Sequence, residues 1–229
     1  MTDPTRGHRI EAILFDIDGT LITTGGAGAV AWSRAFEELH GGPVDIRAVT
    51  ESGMTDPEVG RAALRSVLDR DPDRRELATA MGHYLRRLPD AVAESGGYVV
   101  MPGIERLLDR LVDAGHLLGL TTGNVEAAAH IKLSRAGLNR FFSFGGYGSD
   151  SNDRAELTRC ALDRGRLVSG GVLADGACIS VGDTPRDIAA GHGARIKVVG
   201  VATGNYTVEQ LHTAGADWVI ETVEKGFPA

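Results

Sequence analysis

Lysine and cysteine are scarce in this chain of 229 residues, and long apolar runs are missing. Its two cysteines, Cys160 and Cys178, form no CxxC pair. Two thiols could not staple a fold of 24.1 kDa, so a disulfide scaffold is excluded and a reducing compartment fits. No stretch approaches the ~18 apolar residues of a membrane span. Met1 to Arg9 are polar and lack the apolar core of a signal peptide. The expectation is a soluble, cytoplasmic protein without a membrane partner. A basic surplus is missing too: 31 acids against 24 bases give a formal charge of -7. That argues against nucleic acid as a partner and leaves room for a metal, or for a substrate bound through one. The histidines form no HxxxH pair and no GxSxG elbow occurs, so a zinc site and a serine hydrolase find no support. Only Lys132, Lys197 and Lys225 are lysines; arginine supplies the other bases.

What is there is glycine, 31 residues, nearly twice the usual ~7%. Hydrophobic residues at 42% and charged residues at 24% are those of a globular chain. At ~150 residues per domain the length suits one domain carrying a smaller one. Ile10 to Ile17 reads as a buried strand of a parallel sheet, running into Asp-Gly-Thr. From about Gly25 to Ser95 the signals are helical. Asp56-Pro57 and Asp71-Pro72 look like helix starts, and Leu77, Met81, Tyr84, Leu85 and Leu88 repeat at helical spacing. After Pro102-Gly103, strand and helix alternate, with strands expected at 117–122, 141–146, 177–181, 197–201 and 217–220. Such alternation predicts an α/β fold, a parallel sheet covered by helices on both faces.

In open α/β sheets, ligands bind beyond the carboxyl ends of the strands. There the first strand offers Asp16-Ile17-Asp18-Gly19-Thr20, the next Thr121-Thr122-Gly123-Asn124, and the strand at 177–181 Gly182-Asp183-Thr184-Pro185-Arg186-Asp187. Asp16 and Asp18, two apart, can face one crevice, and Gly19 lets the chain turn away without crowding it. Taken singly, each acid is as easily a cap or a turn residue. Taken together they form a cluster whose like charges need a hard cation with oxygen ligands, and Mg²⁺ suits such a site.

These motifs resemble those of the haloacid dehalogenase-like hydrolase superfamily, in its phosphoglycolate-phosphatase-like branch with a type 1 cap. The likeness rests on Asp16-Ile17-Asp18-Gly19-Thr20, Thr122 and Gly182-Asp183-Thr184-Pro185-Arg186-Asp187, with Met101-Pro102-Gly103 at the return to the core. It implies a Rossmann-like parallel sheet core, residues 10–22 and 97–229, with an inserted helical cap domain over 23–96. It further implies Mg²⁺-dependent hydrolysis of a small phosphorylated metabolite through an aspartyl-phosphate. Asp16 would be the nucleophile and Asp18 the general acid and base. Asp16, the Asp18 carbonyl and Asp183 would hold the metal, with Asp187 supporting its shell. Thr122, with Gly19, Gly123 and Asn124, would bind phosphate, and Thr55 in the cap would face the substrate. Where the family places a lysine, this sequence offers Arg154, expected to orient nucleophile and phosphate. Lys132, mid-helix, is expected at the surface.

Phosphomutase and dehalogenase share these motifs; Asp18 favours phosphoryl chemistry, since a dehalogenase has no leaving alkoxide to protonate. A non-catalytic module of the same fold would have no need of the repulsive acids. Gly26-Ala27-Gly28-Ala29-Val30-Ala31 also matches a dinucleotide fingerprint, but it lacks a strand immediately before it and reads as the passage into the cap. Trp32 and Phe36, four apart, read as packing on the first cap helix.

Overall fold

An apolar run with no polar alternation belongs in the middle of a covered sheet, and the 13–15 run lies there. The structure, a computed structural model, describes residues 10–171, 173 and 176–229; segment 1–9, expected to lack a signal peptide's core, lies outside them. The chain forms β1 (Ala12–Phe15), β2 (Ile22–Thr24), α1 (Ala27–His40), α2 (Ile46–Val49), α3 (Asp56–Leu68), α4 (Arg74–Glu94) and β3 (Tyr98–Val100). It continues through α5 (Ile104–Asp113), β4 (Leu117–Thr122), α6 (Glu126–Ser134), a 3-10 turn (Leu138–Phe141), β5 (Phe144–Tyr147) and α7 (Arg154–Val168). Last come β6 (Cys178–Gly182), α8 (Pro185–Gly193), β7 (Lys197–Val201), α9 (Val208–Thr213) and β8 (Trp218–Ile220).

Six strands pair in parallel in the order β5-β4-β1-β6-β7-β8. β1 buries both faces: Ile13 and Phe15 join the cluster with Leu108 and Leu133, while Ala12 and Leu14 join that with Ala161 and Leu162. From β1 the chain steps outward to β4 and β5, then crosses back to β6 on the other side of β1, and this reversal opens a crevice at the carboxyl end of β1.

Helices α1 to α4 lie between β2 and β3 and bury Trp32, Phe36, Tyr84 and Leu88 in a second cluster, which Val125 and Ala128 at the start of α6 join. Trp32 stacks on Tyr84 with ring centroids 4.3 Å apart, and it tilts against Phe36, the packing expected of this pair. The antiparallel ribbon of β2 and β3 escaped the sequence reading, and the boundary expected at 22/23 falls inside β2. The glycine-rich segment follows this ribbon, not a strand of the parallel sheet, and Gly26, at φ +87°, opens α1.

Two helix starts differ from expectation. Thr55 caps α3 and Asp73 caps α4, each in a capping box, with Glu58 and Glu76 respectively. Three residues beyond Asp56 and Asp71 stand Val59 and Arg74, which cannot return the second bond of such a box. The expected strand at 141–146 begins later, because Leu138–Phe141 turns as a 3-10 helix.

β5 and α7 approach so closely that a Cβ on Gly146 would lie 1.8 Å from the Leu157 carbonyl oxygen. Gly146→Ala should therefore force the two apart and lower unfolding free energy by ~1–3 kcal/mol, read from denaturant melts.

Candidate active site

A cavity of about 500 Å³ opens at the carboxyl ends of β1, β4, β6 and β7, under the helical insert. Asp16, Asp18, Gly19, Thr122, Gly123, Asn124, Arg154 and Asp183 all line it. Asp16 follows β1 directly and is buried, its N–H bonded to the Val181 carbonyl at 2.9 Å. Asp18 leaves its side chain partly open to the cavity. Gly19 turns the chain at φ +88°, where a Cβ would fall 2.3 Å from the Asp183 carboxylate. Gly204 comes closer still; its Cβ would fall 1.7 Å from the same oxygen. Asp183 is thus cradled by two backbones, and it accepts a 3.2 Å bond from the Thr20 hydroxyl. The segment Thr203-Gly204-Asn205 after β7 was missed, although the strand-end rule covers it. Thr203 donates to the Gly19 carbonyl at 2.6 Å and so ties the two turns together.

Opposite, Thr122 ends β4 fully buried, and its hydroxyl accepts the Asn124 side-chain amide at 2.8 Å. Arg154 begins α7, with its side chain 10% exposed. Its guanidinium pairs with Asp187, stands 3.5 Å from Asp16, and donates to the Gly53 carbonyl of the insert at 3.3 Å. Asp187 does not line the cavity. It completes the capping box of α8, accepting from the Thr184 hydroxyl at 2.6 Å, while Arg154 takes its other oxygen.

Carboxylate oxygens of Asp16, Asp183 and Asp187 come within 4.8 Å of one another. Burial first, then the Asp187 carboxylate, push both Asp16 and Asp183 well above the usual carboxylate range. For Arg154, burial favours loss of the proton, but Asp187 and Asp16 outweigh it and hold the guanidinium above its ordinary value. The donor set is all oxygen, anionic and buried, which fits a hard divalent cation.

Three findings correct the sequence reading. Thr55 does not line the cavity; it is fully buried, with its hydroxyl held by Glu58 and Asn152. Lys132 is not on the surface. It is 6% exposed, and its ammonium donates to Asp18 Oδ2 at 2.6 Å and to Asn124 Oδ1 at 2.5 Å. Asp56, relieved of capping by Thr55, is buried against the core; it accepts the Val125 N–H at 2.9 Å and the Tyr84 hydroxyl at 3.3 Å. Burial pushes its carboxyl up to about 6. Two arginines of the insert, Arg34 and Arg65, pair at the surface with Glu94 and Asp71.

Comparison with known proteins places this geometry. The family described as haloacid dehalogenase-like hydrolase matches residues 13–201. A phosphoglycolate phosphatase of Rhodospirillum rubrum is 31% identical over 217 residues, 90% of this chain and 85% of that protein. A probable phosphatase of Dickeya dadantii, IndB, is 26% identical over 211 residues, 92% of this chain and 89% of its own. Among solved structures, a hydrolase from Pseudomonas syringae superposes with a TM-score of 0.69 at 19% identity, covering 93% of this chain and 94% of that one.

Proposed function

The chain belongs to the haloacid dehalogenase-like hydrolase family, and from that premise we propose that it is a Mg²⁺-dependent phosphatase acting on a small phosphate monoester through an aspartyl-phosphate. The observation that carries the proposal is Asp16 and Asp18 facing one cavity from the end of β1, with Asp183 across from them. In this reading the helical insert between β2 and β3 is the cap that shields the cavity, and the parallel sheet with its helices is the catalytic core.

Asp16 is buried at the cavity floor, so its carboxylate meets phosphorus with little water to compete. An Asp16 oxygen forms the new bond to phosphorus as the bond to the leaving oxygen breaks. Asp18 gives its proton to that alkoxide, which leaves as the alcohol. Asp18, now a carboxylate, takes a proton from water; the water oxygen attacks phosphorus, the bond to Asp16 breaks, and inorganic phosphate departs. The Thr122 hydroxyl and the 122–124 backbone hold the phosphoryl oxygens, and Arg154 steadies Asp16 by charge. Asp16, the Asp18 carbonyl and Asp183 would hold Mg²⁺, with Asp187 fixing Arg154 beside them. When bound, the ion neutralises repulsion between the nucleophile and the phosphate. Asp18 supports phosphatase over dehalogenase, because only an ester has an alkoxide to protonate. A volume of about 500 Å³ supports a small monoester.

The test is a screen of phosphorylated metabolites for phosphate release with Mg²⁺, followed by rapid acid quench of an active pair. Mass spectrometry should then find one phosphoryl group on the Asp16 peptide, removable by hydroxylamine. A phosphoryl group on another residue, or turnover without any phosphoenzyme, would overturn the proposal.

A further inference from the structure

Lys132 has no part in the mechanism above, yet it is buried beside it. Burying an ammonium is costly unless it is paired and hydrogen-bonded. Here both conditions hold: Nζ donates to Asp18 Oδ2 at 2.6 Å and to Asn124 Oδ1 at 2.5 Å. Asn124 in turn donates its amide to the same Asp18 Oδ2 at 2.8 Å and to the Thr122 hydroxyl at 2.8 Å. The helix that carries the lysine is itself held, as the Tyr98 hydroxyl of β3 donates to the Lys132 carbonyl at 2.8 Å. The carboxylates of Asp56 and Asp16 add to the negative field at the ammonium.

Two donors therefore converge on one oxygen of Asp18. Among the described residues, no side chain or backbone group is bonded to Oδ1. A carboxylic proton avoids an oxygen that already accepts two N–H donors, so Oδ1 is the oxygen left to carry it. The Asp18 side chain is 42% exposed and stands just before the turn at 19–21, so these two donors are what fix its rotamer.

We propose that Lys132 is a positioning residue: with Asn124 it anchors Oδ2 of Asp18 and so presents Oδ1 to the leaving group. The inference rests on the phosphatase reading and adds a role that none of its steps requires. The proton's path is unchanged, from Asp18 Oδ1 to the departing alkoxide, as the phosphorus–oxygen bond breaks. Lys132 neither gains nor loses a proton.

The role predicts a dependence on the leaving group. An alkoxide needs a proton as it departs; a nitrophenolate needs almost none. Kinetics of wild type, Lys132→Met and Lys132→Arg are compared on an alkyl phosphate taken from the substrate screen and on nitrophenyl phosphate. Lys132→Met should lower kcat on the alkyl ester by ~100-fold and on the aryl ester by less than ~10-fold, with KM little changed. Lys132→Arg, which keeps a donor, should recover part of the alkyl loss, and calorimetric Mg²⁺ affinity should be the same in all three. Equal losses on both esters, or a rise in KM at unchanged kcat, would overturn the assignment. Thermal melts accompany each variant. If Lys132→Met does not fold, Lys132→Gln takes its place, and failure of both assigns the lysine to the fold and overturns the proposal as well. The phosphatase reading fails separately, through wild type inactive on every ester or Asp16→Asn still active.

Discussion

Replacing Asp16 by asparagine is expected to remove phosphate ester hydrolysis while the protein stays folded. An amide oxygen cannot displace an alkoxide from phosphorus at a useful rate, so kcat should fall by at least ~10⁴-fold. The fold has no reason to suffer. Asp16 is buried, and burial together with Asp187 makes its charge costly there. The amide is isosteric and neutral, and Arg154 keeps Asp187 as its partner. The melting temperature should hold or rise, because one member of a repulsive cluster is gone. Phosphate release and thermal melts on the same preparation test both halves. Activity within about tenfold of wild type would remove Asp16 from the nucleophile's role.

Removing the divalent ion is the second large effect. A chelator in excess should abolish turnover, and Mg²⁺ should restore it. A readout free of catalysis exists as well, since an ion that binds only the folded chain stabilises it. At a free concentration of about 100 times Kd the gain is ~2.7 kcal/mol, visible as a higher melting temperature. Asp183→Asn should erase that gain, because Asp183 brings a buried carboxylate to the cluster between the Gly19 and Gly204 backbones. Binding should also weaken as pH falls. Burial and mutual repulsion raise Asp16 and Asp183, so protons compete with the ion in a pH range where ordinary carboxylates are already ionised. A melt insensitive to Mg²⁺ at neutral pH would count against the site.

The parallel core could be read from the sequence because its strands carry strong local signals. β4 and β7 fall on their expected residues, each a short apolar run with turn chemistry at the end. The ribbon of β2 and β3 was invisible, because Ile-Thr-Thr and Tyr-Val-Val are too short to show a period. The site was legible where its residues stand in strand-end motifs and obscure where they come from elsewhere. Lys132 is the clearest case. A lone lysine within a helix resembles a solvated residue, yet Ala128, Ala129, Lys132 and Leu133 make one buried stripe. Its phase on that stripe was the available signal. Asp56 was hidden differently, since an acid before proline is a sufficient helix start and nothing local shows that Thr55 has taken the task.

The β2–β3 ribbon carries a consequence for how the chain folds and diverges. Thr24 pairs with Tyr98, so the chain leaves the core and returns to it at adjacent points. To the core, everything between them is a closed loop with its ends already joined. Loop-closure entropy grows slowly, each doubling of length costing only ~0.6 kcal/mol. As far as closing the loop is concerned, the helical insert can therefore be lengthened or shortened at little cost, and its contacts with the core, such as Val125 against Asp56, set the rest. If the proposed function holds, the ribbon lets the insert over the cavity vary at a pace of its own, while Asp16, Asp18 and Asp183 stay where β1 and β6 put them.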